Sequence, residues 1–335
     1  MKYPKANNYL VYKKVDDDWC RIRDYSDDKI SSLEVDMKTA RFLRRLDGKT
    51  SPMKCMPGTS AEEVREMLRM LKRNGLLRTK KRVIWKGIGS VEVTLWIPGM
   101  KFQKSIYPKI FNWMLLLTWL PLLCAGLFLF LKDMGRYVER MEWVDFQILM
   151  GFIAGMLLGM LFHEIAHGSA SMSYGVKVFE LGIFLDFFMP GAYAALDVQL
   201  SKNRWHRIQI LGAGVEANFW IGGCCLVLGR CFPALGCFFM MSAICNILLG
   251  MSNICLWRLV GGADLDGMLI FSEILGVDNF LDKARIAVFN KRKRREIRAK
   301  LGMSGYALIF VYRAIFLFQV LFPVSLVANL AMIAM

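Results

Sequence analysis

The chain has 335 residues, is 55% hydrophobic and carries a formal net charge of +16. An ordinary soluble domain rarely combines so much apolar content with such a surplus of Lys and Arg. Membrane proteins do, because apolar residues gather in spans and basic residues in cytoplasmic loops. A basic balance also accompanies nucleic-acid binding, but the apolar blocks here assign it to the surface of a lipid bilayer, and no nucleic-acid partner is expected. With only three His, the His-rich di-iron membrane oxygenases are excluded.

The opening MKYPKANNYLVYKKVDDDW is charged where a secretory signal would be apolar. Tyr9–Lys14 and Trp19–Asp24 read as two strands around the turn Asp16-Asp17-Asp18. Lys38–Leu46 reads as a short helix closed by Asp47-Gly48. Ser60-Ala61-Glu62-Glu63 is a capping box. It opens a helix with Val64, Met67, Leu68 and Leu71 on one face and Gly75 as its stop. Strand-like sequence follows from Arg82 to Trp96. Residues 1–100 are therefore expected to form a small α+β, winged-helix-like domain, and residues 101–335 an α-helical multi-pass membrane domain.

Spans of about 20 apolar residues, enough for a ~30 Å hydrocarbon core, are expected at Ile110–Leu131, Phe146–Gly168, Ile208–Leu228, Leu235–Trp257 and Tyr306–Ala331. The last run is overlong and contains Pro323, so it reads as one kinked helix or a tight hairpin, giving about five to six spans. The nine Cys form no CxxC pair and lie mostly within apolar stretches, as small packing residues of a reducing compartment. Lys and Arg crowd the N-terminal region and the segment Lys283–Lys300, whereas Asp133–Asp145 is mixed in charge. The positive-inside rule then makes this a multi-pass cell-membrane protein with its N-terminal domain in the cytosol. It also brings the C-terminal end of the second span to the same depth as Gly262–Gly267.

That end of the second span carries the chemistry. His163-Glu164-Ile165-Ala166-His167 is HExxH within an apolar helical run. Positions i and i+4 share a helix face, so both imidazoles can reach one metal, and the intervening Glu can deprotonate a metal-bound water. Ionisable residues inside a span are costly and are functional candidates for that reason. Zinc (Zn2+) would make hydroxide available at neutral pH for attack on a carbonyl. Catalytic zinc usually takes three protein ligands. His206 lies in the basic loop Lys202–Arg207, so a carboxylate is the better third ligand. Asp266, in Leu265-Asp266-Gly267 directly before an apolar run, is the first candidate and Asp264 its rival; Glu216 reads as a polar contact between helices. Val176–Val198 reads as a membrane-dipping β-hairpin whose free edge would pair with an extended substrate.

The order HExxH, Gly175–Ile183, Leu211-Gly212-Ala213-Gly214 and then Leu265-Asp266-Gly267 resembles the site-2 protease family of intramembrane zinc metalloproteases over about residues 145–275. The resemblance implies that His163, His167 and Asp266 bind zinc and that Glu164 is the catalytic base. It departs before Leu265, where the family commonly has Asn-x-x-Pro and this chain has Cys255-Leu256-Trp257-Arg258-Leu259-Val260-Gly261-Gly262. The N-terminal region, through Ala40–Thr50 and the capped helix ending Leu71–Leu77, is similar to the PqqD-like recognition elements that bind ribosomal precursor peptides. Together these imply a metalloendopeptidase for a precursor peptide or a membrane-anchored substrate, acting in peptide maturation or beside a peptide exporter. Regulated cleavage of a membrane transcription factor is a variant of the same chemistry. The competing expectation is a non-catalytic membrane adaptor or exporter subunit.

Overall fold

The computed structural model describes residues 4–7, 9–15, 17–24, 31–77, 83–87, 90–140, 146–186, 189–255, 265–276 and 290–302, together with 305, 306, 309, 310 and 313. It divides into two compact units, Met1–Trp85 and Lys86–Met335.

The first unit begins with an antiparallel meander of β1 (Leu10–Lys14), β2 (Trp19–Asp24) and β3 (Ser31–Asp36). Three helices follow: α1 (Met37–Arg45), α2 (Pro52–Cys55) and α3 (Ala61–Arg73). Asp36 ends β3 and at once caps α1 by accepting from the Thr39 amide. Ser60 Oγ accepts from the Glu63 amide at 3.2 Å to start α3. Gly75, at φ +72°, ends α3 in the left-handed region. Leu10, Ile22, Val35, Phe42, Leu43, Val64 and Leu71 close the core between sheet and helices.

The domain boundary differs from the one expected near residue 100. Within the strand-like stretch the described residues form two strands, β4 (Val83–Gly87) and β5 (Ser90–Trp96). β5 pairs antiparallel with β6 (Val178–Asp186), about ninety residues away in the chain, and so belongs to the second unit. β6 pairs with β7 (Met189–Leu196), the expected hairpin, and the sheet order is β4-β5-β6-β7.

Among the described residues, four helices of the second unit are long and apolar enough to cross a membrane: α5 (Tyr107–Arg140), α6 (Phe146–Ser173), α7 (Arg204–Cys231) and α8 (Gly236–Cys255), preceded by the short α4 (Met100–Gln103). They run up and down. Asp133 near the end of α5 pairs with Arg230 near the end of α7 at 3.1 Å. At the other end Tyr174, just past α6, donates to Gln209 on the second turn of α7 at 2.5 Å. α7 is central, packed against α5, α6, α8 and the short α9 (Asp266–Leu275). A basic helix, α10, spans Lys291–Leu301. Apart from residues 306, 309, 310 and 313, the expected span Tyr306–Ala331 with Pro323 falls outside the described residues, as do the rest of the segment Lys283–Lys300, the pre-motif residues Leu256–Asp264 and the turn residue Asp16.

One row of residues sets how α6 sits. Gly151, Gly155 and Gly159 recur every four residues, and a Cβ on any of them would lie 2.4–2.8 Å from the nearest atom of Phe238, Ser242 or Asn246 on α8. The absence of side chains lets the two backbones touch, as small-residue stripes do in membranes. Ser242 Oγ and Asn246 Nδ2 then donate to the carbonyls of Gly151 (2.9 Å) and Gly155 (3.1 Å). The next two steps of the same row are His163 and His167.

Candidate metal centre

His163 and His167 lie on the last third of α6; His167 is six residues from the helix end, or about 9 Å at the helical rise. Both imidazoles are buried, and their Nε2 atoms are 3.1 Å apart. Asp266, the first residue of α9, brings Oδ2 to 2.8 Å from His163 Nε2 and 3.4 Å from His167 Nε2. Three ligand-type atoms therefore converge from two elements distant in sequence. Tetrahedral zinc with bonds of about 2.0–2.1 Å has ligand-to-ligand edges of roughly 3.3 Å, close to the triangle these atoms form.

Two orphaned atoms carry the same message. Asp266 Oδ2 and Asn218 Oδ1 are both buried without a hydrogen-bond partner, although buried polar atoms are rarely left so. His167 Nδ1 lies 2.7 Å from the Ile210 carbonyl, which can only accept, so the proton is on Nδ1 and the Nε2 lone pair is free. His163 Nδ1 lies 3.1 Å from the Asn218 side-chain amide. Turning that amide over, so that Oδ1 accepts from Nδ1–H, satisfies the Asn218 orphan and frees the second Nε2 lone pair. Both imidazoles then present lone pairs to one point, with their other nitrogens held by α7, as metal-binding His residues require. Asp266 supplies the charge.

The surroundings explain why these residues meet. Gly214 on α7 faces the pair, and a Cβ there would be 2.5 Å from both Nε2 atoms. Gly214 is thus the open wall of the site, a role invisible in the motif alone. Gly267 does the same for Asp266: its Cβ would lie 2.5 Å from the Ile254 carbonyl, so only glycine lets α9 start against the end of α8. α9 is also clasped to the start of α7. Arg207 pairs with Glu273 Oε2 at 2.9 Å, Gln199 Nε2 donates to Glu273 Oε1 at 2.9 Å, and the Arg204 guanidinium donates to the Ile274 carbonyl. Glu273 is two turns on from Asp266, so the clasp fixes the face that points Asp266 at the imidazoles.

A scan of protein-family models, a search of curated proteins and a search of solved structures give no significant match to this chain.

The remaining candidates resolve as follows. Glu164 follows His163 on α6, and its carboxylate faces the backbone amide of Ala194 on β7. It therefore looks away from α8 toward the hairpin. His206 is not at the metal centre; it sits in the first turn of α7, its ring stacked on Tyr174 at 4.3 Å. Glu216, on α7 one turn past Gly212, is not part of the ligand triangle. Asp264 falls outside the described residues. Asn218 and the Arg207–Glu273 clasp were not singled out by the sequence, and Gly214 stood out there only as part of Leu211-Gly212-Ala213-Gly214. Their signal is spatial, since α7 residues at 210, 214 and 218 form one face only once α7 is laid against α6.

Proposed function

We propose that this chain is an intramembrane zinc metallopeptidase that hydrolyses a peptide bond in a ribosomal precursor peptide or a membrane-anchored substrate. The observation that carries this is the convergence of two neutral-capable imidazoles and one carboxylate on a point walled by Gly214. Two N and one O donor suit zinc, and three protein ligands leave a position open for water. When bound, zinc would lower the pKa of that water to about 7 and polarise the scissile carbonyl.

The chain's own residues do the rest. His163, His167 and Asp266 fix the metal, and Asn218 and the Ile210 carbonyl hold the imidazoles in the ligating tautomer. Glu164 takes the proton of the attacking water and returns it to the leaving amine. Substrate presentation falls to the hairpin. β6 is paired on both sides, by β5 and β7, whereas β7 has an edge with no strand on it among the described residues. A helical substrate hides its carbonyls in i to i+4 bonds; an extended segment on the β7 edge keeps its backbone satisfied while exposing one carbonyl. The order of motifs and its likeness to site-2 proteases support the same reading, as does the PqqD-like sequence of the N-terminal region for peptide capture. By the positive-inside rule the first unit and the metal centre lie on the cytosolic side.

The test is Glu164→Gln, which keeps size and hydrogen bonding but cannot accept a proton at neutral pH. In cells producing either form, terminal-peptide mass spectrometry should find a precursor or membrane-anchored peptide that is cut with wild type and accumulates whole with Glu164→Gln. Removing a positioned base typically costs a factor of about 10²–10⁴. Identical peptide profiles would replace the peptidase with the membrane-adaptor reading.

A further inference from the structure

Resting on the peptidase reading, we propose that the cavity between the β5-β6-β7 sheet and α6 is the substrate subsite that receives apolar side chains at alternate positions of an extended segment next to the scissile bond. The cavity measures about 380 Å³, within the roughly 300–1,000 Å³ of ligand pockets. Val93 of β5, Ile183 of β6 and Ala192 of β7 form its sheet wall, and Leu157, Met160 and Leu161 form its α6 wall. Every lining side chain is apolar.

Its place on α6 ties it to the chemistry. Leu157, Met160 and Leu161 precede Glu164 by seven, four and three residues, so they share its helix face. The carboxylate of Glu164 faces Ala194, two residues along β7 from Ala192 and on the same side of the sheet. The cavity and the base therefore open into one corridor between α6 and β7. Register places Val93 opposite Ile183, Ile183 opposite Ala192, and Leu181 opposite Ala194, so this corridor is lined by a single sheet face. A strand added at the β7 edge would continue that face. Its alternate side chains, about 6.6–6.8 Å apart, would point toward the cavity. Beside the cavity and the base, β7 offers Pro190, Ala192 and Ala194 on this side, with the larger Leu196 only at its far end, which leaves room for larger partners from the added strand. With no polar group to pair them, Ser, Asn or charged side chains would be excluded and Leu-, Met- or Phe-sized ones accepted.

The test uses the full chain carrying Glu164→Gln, in lipid nanodiscs with zinc. The probe is a synthetic peptide with an apolar extended segment and one photo-leucine; a phosphatidylcholine with a diazirine-bearing acyl chain is the parallel probe. Crosslinks from the peptide should map to Leu157, Met160, Ile183 or Ala192. An unlabelled Leu-bearing competitor should suppress them at about tenfold lower concentration than the same peptide with Ser at those positions, the factor that burying one Leu-sized side chain supplies. Ala192→Trp, or Val93→Trp where that fails to fold, should abolish these crosslinks while zinc content stays unchanged. Equal competition by the Leu and Ser peptides, or labelling of the cavity by the lipid probe alone, would overturn the proposal. Cleavage is not needed for the crosslink, so peptide capture without any Glu164-dependent proteolysis would refute the peptidase reading and leave the subsite standing.

Discussion

Two stretches of one row on α6 can be set side by side. Over Gly151, Gly155 and Gly159 the row has no side chains, and α8 presses directly on the backbone. Over His163 and His167 the row carries imidazoles, and the neighbour that gives way is α7, through Gly214. In the first stretch the missing side chains bring helices together; in the second a missing side chain on the partner keeps a space open. The same device, glycine at close approach, serves packing in one place and opens the candidate metal centre in the other. What separates them is polar follow-through: the imidazoles are each held from behind by α7 and faced by Asp266, whereas the glycine stretch is held by Ser242 and Asn246 donating to carbonyls.

Substitutions at the two stretches should therefore fail differently. The largest effect is expected at the ligands. His163→Ala, His167→Ala or Asp266→Asn should leave less than a tenth of the wild-type metal by elemental analysis, since two donors do not make a site, while Asp264→Asn should keep full metal. Gly214→Ala should match the ligand variants in metal loss, because its methyl would occupy the space facing both Nε2 atoms, yet it should retain the helical circular-dichroism signal of wild type. Gly155→Leu should show the converse. It forces α6 off α8, lowering stability by about 1–3 kcal/mol or more in thermal unfolding in detergent, with metal lost only as the fold is lost. If Gly155→Leu released metal at full fold while Gly214→Ala kept it, the division of roles along the row would be wrong.

Much of the site was legible in the sequence because local spacing wrote it. HExxH places two imidazoles on one face whatever surrounds them, and Asp266 stood out as an acid directly before an apolar run. Ser60 and Gly75 were readable for the same reason, since a cap depends on neighbours three or four residues away. Three features were not. β5 looked like part of the N-terminal domain because its partner β6 lies about ninety residues on. β3, Ser-Ser-Leu-Glu-Val-Asp, alternates too weakly to announce a strand without β2 beside it. Asn218 looked like one polar residue in a span until α7 was laid against His163.

The residues that were not legible give the smaller, sharper tests. Asn218→Leu removes the group behind His163 and should weaken zinc affinity by about 10–100-fold, the usual cost of losing such support, measured by chelator competition. Glu273→Gln loosens the clasp on α9 without touching a ligand. A lesser drop in affinity is expected, about tenfold or below, and the charge-swapped pair Arg207→Glu with Glu273→Arg should restore part of it. No recovery in the swap would remove the clasp from the account of how Asp266 is held.

The most direct measurement is zinc-edge X-ray absorption on the full chain, purified with its own metal in detergent. The account predicts about one zinc per chain, bound by two imidazole nitrogens and further light-atom ligands at about 2.0–2.1 Å, with the imidazole signal lost in His167→Ala. A chain that holds no metal, or one whose spectrum shows Cys sulfur at about 2.3 Å, would contradict the assignment of His163, His167 and Asp266 as the site.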